Sequence, residues 1–193
     1  MALVVGITFH EFAHAWSARM LGDPTAEQAG RLTLNPFKHL DLVGTLFLLF
    51  AGFGWGKPVP VNHLNLRNGK WGRLMVSLSG PISNLILIFV FGIALRLVFA
   101  FTALPQTNGL IIFLLALIII NIILMIFNLI PVPPLDGGEL LEFFLPERAH
   151  RIKEFIQRYG FFILFFLLII GYRVLQPIFE SVINFTLRYL VGA

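Results

Sequence analysis

His10, Glu11 and His14 lie within five residues of one another, in the stretch ITFHEFAHAWSARM at residues 7–20. On a helix, residues i and i+4 differ by about 40° in direction, so the two histidines share a face. Two imidazoles so placed can hold one Zn²⁺, and a glutamate beside the first can take the proton of an attacking water. That chemistry is metal-assisted hydrolysis. The alternative is a pair of helix histidines hydrogen-bonded to a neighbour. The apolar setting weighs against it. An acid buried in a membrane segment costs at least about 2.5 kcal/mol, and such groups are kept by default for a function.

A catalytic zinc takes three protein ligands and leaves one position open. The chain has no cysteine, so the third ligand must be His, Asp or Glu. Asp136, in NLIPVPPLDGGELL at residues 128–141, is the best candidate. Three prolines unwind the helix before it, and Gly137 and Gly138 permit unusual backbone angles after it. Broken backbone at membrane depth is tolerated only inside protein or along a watery cavity. The alternative for Asp136 is a loop aspartate capping a helix from about residue 138.

The elements that must position these residues are membrane segments. The composition is 58% hydrophobic and 12% charged, with a mean hydropathy of +0.86. A soluble domain carries about 25% charged residues. Residues 74–95 and 110–131 contain no charge, and each is long enough to cross a bilayer, which takes about 20 residues. The first 21 residues form a third apolar segment, ending at Leu21-Gly22-Asp23-Pro24, a helix stop. Only nine residues precede His10, about 13 Å of helix. The segment is barely long enough to span, and residues ahead of Met1 would complete it. No basic n-region or cleavage site of a signal peptide is present. Residues 42–55 are apolar but short, and residues 160–191 are apolar but interrupted by Arg173, Gln176, Pro177 and Glu180. The fold class expected is an all-α membrane protein: a polytopic helical bundle of about 4–6 membrane segments. Short β or loop elements are expected between the first and second core helices. The whole of 1–193 reads as one domain, with a core at 1–146 and membrane-associated helices at 150–193.

Charge orients the bundle. The net charge is +4, and the basic balance is read as setting topology, with no nucleic-acid partner expected. Loop 56–73 carries Lys57, Arg67, Lys70 and Arg73 and no acid, and loop 132–159 carries Arg148, Arg151, Lys153 and Arg158. The positive-inside rule puts both in the cytoplasm. Asp136 then lies near the cytoplasmic face, and His10 and His14 must meet it there. If loop 22–41 is also cytoplasmic, residues 42–55 join two loops on one side. They should then be re-entrant, interfacial or a hairpin.

Three motifs in order carry a resemblance: His10-Glu11-Phe12-Ala13-His14, Gly80-Pro81-Ile82-Ser83-Asn84, and the run from Asn128 to Gly138. Together they resemble the site-2 protease family of intramembrane zinc metalloproteases. GRLTLNPFKHLDLVGTL at 30–46 and GKPVPVN at 56–62 are similar to its compact bacterial and archaeal members without a PDZ domain. The resemblance extends from His10 to about residue 146 and is weak beyond 150. It implies that His10, His14 and Asp136 bind one Zn²⁺ per chain and that Glu11 is the general base and acid. It also implies that Asn128 lies in the active site, where its amide positions substrate or steadies an oxyanion. The alternative for Asn128 is a helix–helix hydrogen bond, which is also the reading preferred for Asn121. Gly80, Pro81 and Asn84 read as structural, a kink and a close helix approach around the site.

The implied activity is zinc-dependent endoproteolysis of membrane-spanning helices near the cytoplasmic face. The implied setting is a multi-pass protein of the cell membrane, with the lipid bilayer and a membrane-protein substrate as partners. An inactive client-binding scaffold and a membrane metal transporter are the rival readings. RLTL at 31–34 and VPVN at 59–62 are candidate edge strands for an extended substrate. His39, His63 and His150 are read as surface or interfacial residues. Arg96 and Arg173 are placed to snorkel from span ends, and FFILFFLLII at 161–170 to face lipid.

Overall fold

The computed structural model describes residues 1–51 and 56–192. Helix α1, Ala2–Met20, carries the two histidines. It ends where the sequence reading put its stop. Gly22 turns left-handed at φ 104°. Gly22 N–H then bonds Arg19 O (3.1 Å) and Asp23 N–H bonds Ala18 O (2.9 Å), the paired closure that a glycine just past a helix allows. The short helix α2, Thr25–Gln28, closes in the same way. Gly30 at φ 66° lets Arg31 N–H return to Ala26 O at 2.8 Å. Each closure reverses the chain within two residues, so loop 21–41 stays against the end of α1.

Helix α3, Leu42–Ala51, is about 15 Å long, half of a hydrocarbon core. Leu40 and Gly56 form an isolated antiparallel bridge, and Lys57 N–H bonds His39 O at 2.8 Å. The stretch between them therefore leaves and returns at one place, which agrees with a segment that does not cross. The remainder of that expectation falls on residues 52–55, outside the described ones. Among the described residues there is no β-strand. RLTL is bent and residues 57–62 carry no regular structure, so neither candidate edge strand is formed here. In the second, Val59 N–H and Asn62 N–H donate instead to the side chains of Glu11 and Asp23.

Among the described residues two helices are long and apolar enough to cross a membrane: α4, Lys70–Phe101, and α5, Gly109–Asn128. Helix α4 covers the uncharged segment 74–95 and extends beyond it at both ends, whereas α5 stops at Asn128, three residues short of the end of 110–131 and just before the proline run. Their shared face buries Ile88, Leu95, Ile111, Leu114, Leu117, Ile118 and Ile122. Outward, α4 exposes Ile82, Ile86, Phe89, Val90, Ile93 and Leu97, and α5 exposes Leu110, Ile112 and Phe113. An apolar outer surface this continuous suits lipid rather than water. Helix α6, Asp136–Phe144, follows the proline run and packs on α4. Gly137 and Gly138 are required there, because a Cβ on either would meet backbone of residues 129–133 within 3.0 Å. Helices α7, His150–Ile170, and α8, Tyr172–Thr186, complete the chain. Past α8, Val191 joins the α4–α5 core and Leu190 lies over Gly92. Phe161, Phe162, Phe165 and Phe166 on α7 are exposed.

Candidate metal centre

His10 and His14 are buried, one turn apart on the face of α1 that meets α4. Their Nε2 atoms are 3.0 Å apart. The protonation of each ring follows from what its other nitrogen meets. His14 Nδ1 lies 2.8 Å from Val76 O. A carbonyl only accepts, so Nδ1 carries the hydrogen and Nε2 keeps a free lone pair. His10 Nδ1 lies 2.7 Å from Asn84 Oδ1. The Asn84 amide nitrogen is already donating to Asn121 Oδ1 (2.8 Å) and Gly6 O (3.2 Å). Its oxygen must therefore face His10 and accept from Nδ1. Both rings thus turn basic nitrogens toward one point.

Asp136 is brought to the same point by the start of α6. Its backbone carbonyl accepts from Ser77 Oγ at 2.7 Å, which fixes α6 on α4. Its Oδ2 and Oδ1 lie 3.1 Å from His10 Nε2 and 3.3 Å from His14 Nε2. Oδ2 is buried and receives no hydrogen bond. The carboxylate faces the histidines rather than capping α6. Among the described residues this is the one group of three such side chains whose ligand atoms lie within 4.8 Å of one another. Two imidazole nitrogens and a carboxylate facing each other at these distances call for a cation among them, a metal ion or a proton. At zinc–ligand distances near 2.0–2.2 Å, tetrahedral ligands are about 3.3 Å from each other, close to the separations observed. Gly80 completes the cradle. A Cβ there would sit 2.5–2.6 Å from ring atoms of both histidines. The donor set, its spacing and the space kept clear for it all fit a zinc ion.

The centre opens into a cleft of ≈ 350 Å³ whose walls include Glu11, Asn128 and Val59. Glu11 Oε2 accepts from Val59 N–H at 3.0 Å. Asn128 bonds its own helix, Nδ2 to Leu124 O at 2.9 Å, and among the described residues it has no bond to another helix. His63, Arg73 and Glu139 also line the cleft, and Arg73 lies 4.0 Å from Glu139 and 3.8 Å from Glu142. Burial pushes the Glu139 carboxyl up, with His63 opposing.

The structure brings together His10, Glu11, His14, Asp136 and Asn128. Asn121 makes the helix–helix bond expected of it, through Asn84. Asn84 fits the close helix approach expected of it: it is fully buried and bonds His10 and Gly6 of α1 as well as Asn121 of α5. One expectation needs correction. His39 is not at the surface. It is 0% exposed, because the Leu40–Gly56 bridge folds its loop over it and Thr33 O takes its Nε2–H at 2.7 Å. Sequence reasoning also missed Arg31, which bonds the Lys57 and Pro58 carbonyls, and the Val76 carbonyl, which no side chain announces.

Comparisons with known proteins converge on one group. Residues 98–171 match the sequence pattern of Peptidase family M50. The chain is 40% identical over 186 residues to the Bacillus subtilis (strain 168) protein named "Putative zinc metalloprotease YwhC", covering 94% of this chain and 85% of that one. It is 33% identical over 173 residues to "Putative zinc metalloprotease Rip2" of Mycolicibacterium smegmatis, covering 86% of this chain and 64% of that one. The Rip2 protein of Mycobacterium tuberculosis (strain H37Rv) is 33% identical over 156 residues, 72% of this chain and 54% of the relative. No solved structure matches.

Proposed function

The chain belongs to peptidase family M50, the site-2 protease group, and from that premise we propose that it is an intramembrane zinc endopeptidase cleaving membrane-spanning helices near the cytoplasmic face. That it is a metalloprotease using zinc follows from the family and its relatives. The finer reading rests on one observation, the convergence of His10 Nε2, His14 Nε2 and the Asp136 carboxylate.

In this reading those three residues hold the ion, one per chain. When bound, zinc supplies Lewis acidity to the scissile carbonyl and to the attacking water. Asn84 and the Val76 carbonyl hold the two imidazoles in the ligating tautomer, the usual task of partners behind a metal ligand. Glu11 takes the proton of the attacking water and delivers it to the leaving amine. Asn128, on the last turn of α5, presents its amide in the cleft, where it positions the substrate or donates to the developing oxyanion. The exposed apolar faces of α4 and α5 admit a membrane helix and keep soluble chains outside. The polar mouth at His63, Arg73 and Glu139 supplies water from one side only. The substrate helix must unwind locally, since a helical peptide bond is shielded by its neighbours. The lysines and arginines of 56–73 and 148–158 support a mouth on the cytoplasmic side of a multi-pass protein of the cell membrane, since topology follows Lys and Arg rather than net charge.

Glu11→Gln tests this directly. The variant should keep about one zinc per chain and lose cleavage of a membrane-embedded reporter. Cleavage at the parent rate would refute the mechanism.

A further inference from the structure

Residues 30–46 and 56–62, the two loop stretches singled out in the sequence, meet over the site, and Arg31 joins them. Arg31 is 5% exposed. Its Nη1 donates to Pro58 O at 3.0 Å and its Nη2 to Lys57 O at 2.5 Å. Its Nε has no partner, and Glu11 is the charge that acts on it. A buried guanidinium spent on two consecutive carbonyls is a clamp on backbone, and its planar fork suits that task. The next amide in the chain, Val59 N–H, is the one that donates to Glu11 Oε2. Pro58 and Pro60 flank it, so both neighbours lack an N–H and hold φ near −65°. The clamp is thus carried to Val59 through stiff backbone.

We propose that Arg31 is a positioning residue for hydrolysis: it clamps the Lys57 and Pro58 carbonyls so that the Val59 amide holds the Glu11 carboxylate in the orientation proton transfer needs. This rests on Glu11 acting as the general base. Arg31 touches neither substrate nor the metal ligands. Its effect should therefore appear in turnover and leave metal binding alone.

The test is a double-mutant cycle on the full chain with a membrane-embedded reporter substrate, using Arg31→Lys, Val59→Pro and both together. Lysine keeps the charge without the fork, and proline deletes the amide donor while leaving the clamp. Each single variant should lower kcat about 10- to 100-fold, as a displaced catalytic group does. KM should stay within about threefold, and zinc near one per chain. The double variant should be no slower than the worse single one, because both act through one bond. Losses that multiply, or an unchanged kcat in Val59→Pro, would overturn the proposal. A readout without catalysis uses the absence of cysteine. A Val61→Cys reporter, in the wall of the cleft, should react with maleimide faster when Arg31→Lys is added, and an equal rate would overturn the clamp. If Arg31→Lys does not fold, Val59→Pro alone decides. Glu11→Gln separates the two readings. An active Glu11→Gln removes the base itself, whereas an inactive one with multiplying losses removes only the role of Arg31.

Discussion

The two functional sides of α1 are held in different ways. The histidine side is fixed by another membrane helix: Asn84 and Val76 of α4 take the two Nδ1–H groups, and Gly80 leaves no room for the rings to shift. The glutamate side is fixed by a loop: Glu11 meets the Val59 amide, and Val59 follows two residues clamped by Arg31. Helix against helix is packed and buried over its length, and changing it needs a concerted shift. A loop held by a few hydrogen bonds changes one bond at a time, each contributing about 0.5–1.5 kcal/mol. On the proposed mechanism, metal retention and proton transfer should therefore be separable by mutation, although their residues are adjacent in sequence.

Two variants test that separation and a third tests the loop that supports it, beginning with the largest effect. Gly80→Ala puts a methyl group 2.5–2.6 Å from both imidazoles. Overpacking costs about 1–3 kcal/mol, and here it is relieved only by moving the ligands. Metal analysis of the purified variant should find little zinc, and cleavage should be lost with it. Full zinc loading would show the rings free to move and would erase the contrast between the two sides. Asn84→Leu is next. It removes the acceptor that fixes the His10 tautomer, and loss of such a partner costs about 10- to 100-fold in metal affinity. Titration against a competing chelator reads this. Turnover per zinc-loaded chain should change little. A variant that kept its zinc affinity and lost turnover would reverse the division.

The smallest effect is Asp23→Asn, at the far end of the same loop. Asp23 accepts from the Thr25 hydroxyl, Asn65 Nδ2, Asn62 N–H and Thr25 N–H. Burial pushes its carboxyl up, but those bonds outweigh burial and hold it below the usual aspartate range. The stability it contributes is present above the ordinary aspartate pKa. It is lost as pH falls through the lower folded value. Asp23→Asn should cost roughly 1–3 kcal/mol at neutral pH, and the gap from the parent should close in acid. Thermal unfolding across pH measures it, and a gap that widened toward acid would contradict the assignment.

Much of the site was legible in the sequence because its parts are local. HEFAH needs only one helical turn, and the proline run with LDGG marks its own break. The uncharged stretches of α4 and α5 follow from length and composition. What was not legible depends on register between distant segments. Asn84 can be seen as a polar residue in a span, but its partner His10 lies 74 positions away. Val76 acts through a carbonyl, which every residue has. Arg31 and His39 sit in polar loops and have the composition of surface residues. Their burial follows from the Leu40–Gly56 bridge and the Arg31 clamp, and neither leaves a periodic trace.

The Leu40–Gly56 bridge has a consequence for how such a chain can diversify. It clasps the stretch 41–55 at its base, and the clamp on Lys57 and Pro58 begins only beyond that clasp. Doubling the length of a closed loop costs only about 0.6 kcal/mol. Sequence between the clasped ends can therefore be lengthened, trimmed or exchanged like a cartridge. On the mechanism proposed above, such exchange would leave the settings of the hydrolytic machinery untouched.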